Sequence, residues 1–426
     1  MTDVHAPAVP ATGTTTRPTF LGVLHNPEFR AVWLADAQSS LGDQLSRIAL
    51  AVLVYERSHS PFMTALIYAV TFIPALFSGV LLGGLADRYP HRATLVRCNV
   101  LRAALVGAMA LAGLPIWALV GLVILSTLVA APFDAANSAM LPDLLDGESY
   151  PVAASLRTIG HQVSQLMGFA AGGLLLTAMS PRAALLIDAV TFLVAAAMVR
   201  RAVQLRPAPL RKEDSEPYLA SIVTGARTVA SSPRLRVLLG LAWLMGLFVI
   251  PEGLAAPYAA FIHADTLGVG LLLAAGPAGT ALGSFLFFKV FREPRRVRMI
   301  GVLAAAGGVP LVVCIAAPPL VPSLVLWGLC GGCGAYLTQV MPEYVVAAPQ
   351  ARRGQAIGIA ASGLLAVQGV GILLGGIVAD ATNPAVAVAV AGGLASVLAA
   401  VLSLRWRQIL NHDGETIRRA TELSSN

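Results

Sequence analysis

Charge is scarce in this chain of 426 residues. Only 12% of them are Asp, Glu, Lys or Arg, about half the share found in soluble domains, which argues against a soluble fold. Cysteine is scarce too. Cys98, Cys314, Cys330 and Cys333 all lie in or beside apolar segments, where a thiol packs like a small apolar group, so no disulfide framework is implied. Cys330 and Cys333 form a CxxC, but no second cysteine or histidine pair accompanies it, and helix packing is its reading. No metal-ligand cluster, nucleophile elbow or phosphate loop is present, so the sequence is expected to be neither an enzyme nor a holder of a metal or cofactor. Residues 1–28 contain no apolar run before Phe29 and lack the hydrophobic stretch of a cleavable signal; they read as a disordered tail. A mean hydropathy of +0.75 rules out disorder for the chain as a whole.

Long apolar runs are what the sequence has in abundance. Twelve recur, at about 31–55, 63–85, 93–113, 116–138, 153–178, 183–199, 236–261, 267–290, 298–317, 322–346, 354–378 and 385–404. Each is long enough to cross a hydrocarbon core of about 30 Å as a helix. None alternates with the period of a barrel strand. The connections on the side of both termini hold 24 of the 29 Lys and Arg, and the opposite side only Arg57 and Arg182. The positive-inside rule then places both termini in the cytoplasm, in a cell membrane. The net charge of +7 has this topological explanation and calls for no nucleic-acid partner.

The longest connection, 200–235, divides the spans into halves at 29–199 and 236–404, with a tail at 405–426. A shift of 203 residues lays Gly160, Gln165, Gly168, Gly172, Gly173 and Pro181 on Gly363, Gln368, Gly371, Gly375, Gly376 and Pro384. That coincidence points to two parallel six-helix repeats, whose substrate site is expected between them near the midplane.

Between spans two and three stands Gly83-Gly84-Leu85-Ala86-Asp87-Arg88-Tyr89-Pro90-His91-Arg92. This resembles the signature loop of the major facilitator superfamily, with Pro90 and His91 departing from it. The resemblance implies a fold of twelve transmembrane helices in two six-helix halves. It also implies a gating loop in which Gly83, Asp87, Arg88 and Arg92 take part, with Asp87 facing the start of span eleven near Gly354, where helix N–H groups favour a carboxylate. The alternative, given less weight, is that Arg88 and Arg92 only fix topology. Span five carries Gly168, Gly172 and Gly173, a small-residue ridge that resembles the superfamily's antiporter signature with Phe169 in place of its proline, and span eleven repeats the ridge as Gly371, Gly375 and Gly376; such ridges allow close helix approach and are expected where the halves move against each other. With the run Pro132-Phe133-Asp134-Ala135-Ala136-Asn137, in which Asp134 is grouped with the gate, the chain is similar to the branch of macrolide and siderophore exporters.

Charges inside spans are costly and are functional candidates by default. Asp36, Ser40, Asp43 and Arg47 form one polar stripe on span one, and Asp43 and Arg47 are spaced to pair directly. By depth, Asp36 matches Arg157, and Asp43 matches Gln165 with His161 about one turn away. Asp188 is placed to neutralise Arg47, and Glu252 has no evident basic partner. Proton coupling or substrate contact is expected among Asp36, Asp43, Arg47, His161, Gln165, Asp188 and Glu252. The reading is a monomeric transporter in the lipid bilayer that exports hydrophobic or amphipathic small molecules against protons. An importer on the same fold and a transport-inactive sensor or assembly protein are its alternatives.

Overall fold

The computed structural model describes residues 19–72, 89–145, 149–206, 218–292 and 295–424. Among them the regular structure is helical, with no strand. Span one is Pro27–Ser58; span two opens with Pro61–Ala69, and 73–88 lie outside the described residues. Spans three to six are His91–Met109, Ile116–Leu144, Tyr150–Ala178 and Pro181–Ala202. Span seven is broken into Pro233–Trp243, Met245–Phe248, Ile250–Gly253 and Ala255–Phe261. Spans eight and nine are Thr266–Val290 and Arg295–Val313, span ten is Leu320–Cys333 followed by Leu337–Ala347, and spans eleven and twelve are Arg353–Ala381 and Pro384–Ser424. Eight described helices are long and apolar enough to cross a membrane on those grounds alone. The outward faces are apolar, with Leu282, Phe285 and Val397 exposed as large hydrocarbon side chains, as suits a lipid-facing surface.

Several spans begin with a capping side chain followed by proline. Asn26 accepts from the N–H groups of Glu28 and Phe29, Ser60 from Met63, Ser180 from Ala183, Ser232 from Leu235, and Asn383 from Val386. The oxygen satisfies orphan donors of the first turn, and proline at the first helical position lacks the N–H that would go unpaired. Three segments differ from expectation. Phe20–Leu24 is already helical, inside the tail assigned as disordered; the central connection holds a helix at Tyr218–Ser231; and span twelve continues through Ser424.

The duplication is visible in packing. Trp33 of span one lies on Gly160, where an added Cβ would meet Nε1 at 2.8 Å, and donates to the Leu156 carbonyl at 3.2 Å. Trp243 of span seven lies on Gly363 in the same way and donates to the Ala360 carbonyl at 3.3 Å. The halves then meet through spans five and eight on one side and spans two and eleven on the other. These contacts gather at the end of the bundle away from the termini, called here the far end: Gly173 against Gly270, Gly376 against Phe62 and Ala65, and Ser60 donating to Asp380 at 2.8 Å.

Candidate functional site

A cavity of about 860 Å³ occupies the N-terminal half beneath that closed far end. Spans one, three, four, five and six supply most of its wall, and Leu365 of span eleven reaches it from the other half. Tyr150, Thr158, His161 and Gln162 line it and are exposed, so the cavity opens toward the face bearing the termini. Its apolar wall includes Leu50, Val106, Met109, Val123 and Phe133.

The polar wall is organised around arginines. Arg157 places Nε 3.7 Å from an Asp36 oxygen and donates from Nη1 to Ser138 Oγ at 3.1 Å. Arg102 of span three donates from Nη2 to both oxygens of Asp43, at 2.8 and 3.0 Å, while its guanidinium lies 4.2 Å over the Phe192 ring. Asp188 is fully buried. It accepts from Ser46 Oγ at 2.5 Å and approaches Thr191 Oγ1 at 3.1 Å. Glycine at position 42 makes that burial possible, because a Cβ there would stand 2.2 Å from Asp188 Oδ1.

Two expected pairings are therefore corrected. Asp43 pairs with Arg102 rather than Arg47, and Asp188 is held by hydroxyls rather than by Arg47. Arg47 instead turns toward span two, its guanidinium 5.9 Å from the centre of the Tyr68 ring. Glu252, read as lacking a basic partner, accepts from Tyr68 Oη at 2.9 Å, a hydrogen bond between the two halves, and Arg47 acts on it electrostatically. His161 is on the exposed cavity wall, whereas Gln165, half-buried on the next turn, is not among the lining residues. Asp134, grouped with the gate, instead faces the cavity, exposed, and forms no ion pair among the described residues.

Sequence reasoning gave Arg102, which falls inside the run 93–113, no role. The cost of an intramembrane arginine was the available signal. Nothing in the sequence marked Tyr68 or Gly42. Arg102→Met is expected to lower stability by up to about 3–5 kcal/mol, because it strands a carboxylate in a low-dielectric wall. Thermal unfolding in detergent measures it, and Asp43→Asn combined with Arg102→Met should recover part of the loss.

Gly83, Asp87 and Arg88 lie outside the described residues. Arg92 donates to the Arg200 carbonyl, tying the start of span three to the end of span six. The glycine ridges divide into two sets. Gly168 and Gly172 face Gln44 and Ile48 of span one, and Gly371 and Gly375 face Gly246 and Ile250 of span seven, all within one half. Gly173 and Gly376, rotated by one residue or about 100°, face the other half instead.

The sequence profile of one family, described as transmembrane secretion effector, matches residues 19–421. The multidrug efflux pump Tap of Mycobacterium tuberculosis is 26% identical over 375 residues, covering 83% of this chain and 87% of that protein. Tap of Mycolicibacterium fortuitum is 25% identical over 373 residues, covering 83% and 89%. Among solved structures, a bacterial homologue of the human lysosomal transporter Spinster, described as inward-facing and unoccupied, superposes with a TM-score of 0.72 at 15% identity, covering 90% of this chain and 98% of that one. The nucleoside transporter NupG superposes at 0.70 and 16%, covering 90% and 99%. At such identities these structures show the fold alone.

Proposed function

The chain belongs to the transmembrane secretion effector family of major facilitator transporters, and from that premise we propose that it exports hydrophobic or amphipathic small molecules in exchange for protons by alternating access. It is a multi-pass membrane transporter; direction, coupling ion and substrate are the proposal. The relatives named as multidrug efflux pumps support export. The arginine bias of the connections supports cytoplasmic termini in a plasma membrane, so that the open cavity faces the cytoplasm.

One observation carries the reading: the cavity wall holds four carboxylates, Asp36, Asp43, Asp134 and Asp188, against three arginines, Arg47, Arg102 and Arg157. A carboxylate in excess inside a low-dielectric cavity is neutralised by a proton or by a cationic or polar substrate group. Competition between the two for the same negative charge is antiport. Asp43 is the expected centre of that exchange, since its link to Arg102 is made by charge and opens onto the cavity. Apolar neighbours such as Val106, Met109 and Phe133 give a hydrophobic body a place to lie without fixing its shape.

Energised inverted vesicles should accumulate a lipophilic dye, and a proton uncoupler should collapse the gradient. Asp43→Asn should abolish accumulation per inserted molecule, even where the stranding of Arg102 lowers thermal stability. Accumulation in right-side-out vesicles instead would make the protein an importer, and concentrative export at the wild-type rate in Asp43→Asn would move the proton site elsewhere.

A further inference from the structure

A second polar cavity, of about 610 Å³, lies on the face that bears the termini, between the start of span seven and the end of span twelve. Its walls hold Arg234 and Arg236 from span seven, Arg405, Gln408 and His412 from span twelve, and, among the described residues, no acidic side chain. Arg236 and Arg405 are exposed. Arg234 is engaged with Glu343 of span ten at 2.8 Å and lies 5.7 Å from the centre of the Trp406 ring, which steadies that wall. The helix Pro233–Trp243 also begins here, capped by Ser232, so its positive dipole end adds to the arginine charge.

The depth of this cavity is informative. Arg405 stands 21 residues beyond Pro384, or about 32 Å along a helix, close to the thickness of a hydrocarbon core. The arginines therefore sit at headgroup level. Below Arg405, on the same side of span twelve, Val401, Leu398 and Leu394 follow at helical spacing, each exposed. Leu402 closes the cavity floor against span seven, 3.1 Å from where a Cβ on Gly240 would be.

We propose that this cavity binds an anionic phospholipid, its phosphate among Arg236, Arg405 and Arg234 and an acyl chain along Val401, Leu398 and Leu394. Arginine is suited to phosphate because its planar fork donates two parallel hydrogen bonds. Basic pockets between helices at this level recognise lipid headgroups by the same chemistry. A free phosphate would share the arginines but has no use for the apolar stripe. Occupancy would bridge spans seven and twelve and stabilise the second half against the bilayer.

The test uses the full chain in neutral detergent, with thermal unfolding and native mass spectrometry. Phosphatidylglycerol should raise the unfolding temperature and remain bound, whereas phosphatidylcholine and inorganic phosphate should do neither. Arg236→Gln with Arg405→Gln should weaken phosphatidylglycerol binding at least tenfold and remove most of the shift. Arg407→Gln, an exposed arginine on the same turn but outside the cavity, should leave both intact, and Arg236→Lys with Arg405→Lys should retain partial binding if the double glutamine variant folds poorly. An undiminished phosphatidylglycerol response in both double variants would overturn the site. A matching response to inorganic phosphate would make it a soluble-anion site instead.

Discussion

Glu252→Gln is expected to abolish concentrative export while the protein remains in the membrane and still binds dye. Glu252 lies in the broken stretch of span seven and accepts from Tyr68 Oη across the junction of the halves, with Arg47 behind the Tyr68 ring. Glutamine keeps an oxygen for Tyr68 but removes the charge that makes the bond a strong one and that attracts Arg47. A hydrogen bond to a charged group contributes about 1–1.5 kcal/mol more than a neutral one, so the far-end-closed state should lose roughly 5- to 13-fold in population relative to the open one. A carrier that no longer closes on that side lets substrate return, and the gradient fails although each step still occurs. Dye accumulation in inverted vesicles, set beside dye binding in detergent, separates lost coupling from lost recognition. Tyr68→Phe, which deletes the donor and leaves the carboxylate without that bond, should show the same defect at least as strongly. Wild-type accumulation in Glu252→Gln would make the contact a packing detail.

The spans, their number and their division were legible because each rests on composition over about 20 residues, and a bilayer admits few alternatives. Side-chain partnership was legible only where one coordinate sufficed. Asp36 and Arg157 share a depth and also face each other, and the structure places them 3.7 Å apart. Asp188 and Arg47 were also matched by depth, but rotation about the helix axis is a second coordinate that depth does not supply, and Asp188 turns to Ser46 and Thr191. Asp43 and Arg47 are neighbours on one helix, yet each finds a partner on another: Arg102 of span three and Tyr68 of span two. Periodicity within one helix cannot see such competitors. The glycine ridges show the same limit, since spacing by four revealed a smooth face without revealing which helix it met.

Gly173→Leu should trap the halves apart at the far end, whereas Gly172→Leu should only weaken the first half. The two positions are adjacent in sequence but point about 100° apart on the helix. A Cβ at Gly173 would stand 2.7 Å from the Gly270 Cα, backbone that can yield only if spans five and eight separate. A Cβ at Gly172 would instead meet Ile48 Cδ1 at 2.9 Å, the tip of a side chain in the same half. Overpacking costs about 1–3 kcal/mol in either case, but the cost falls on different equilibria. At Gly173 it opposes closure between the halves, a shift of about 5- to 150-fold toward the far-end-open state, with normal abundance and little turnover. At Gly172 it lowers thermal stability, with transport surviving in proportion to folded protein. Gly376→Leu, facing Ala65 and Phe62 across the other side of the junction, should behave like Gly173→Leu. Spin labels at Leu111→Cys and Val321→Cys, exposed positions at the far end of each half, report the separation directly. Equal label distances in wild type and Gly173→Leu, with wild-type flux per inserted molecule, would remove spans five and eight from the moving contact.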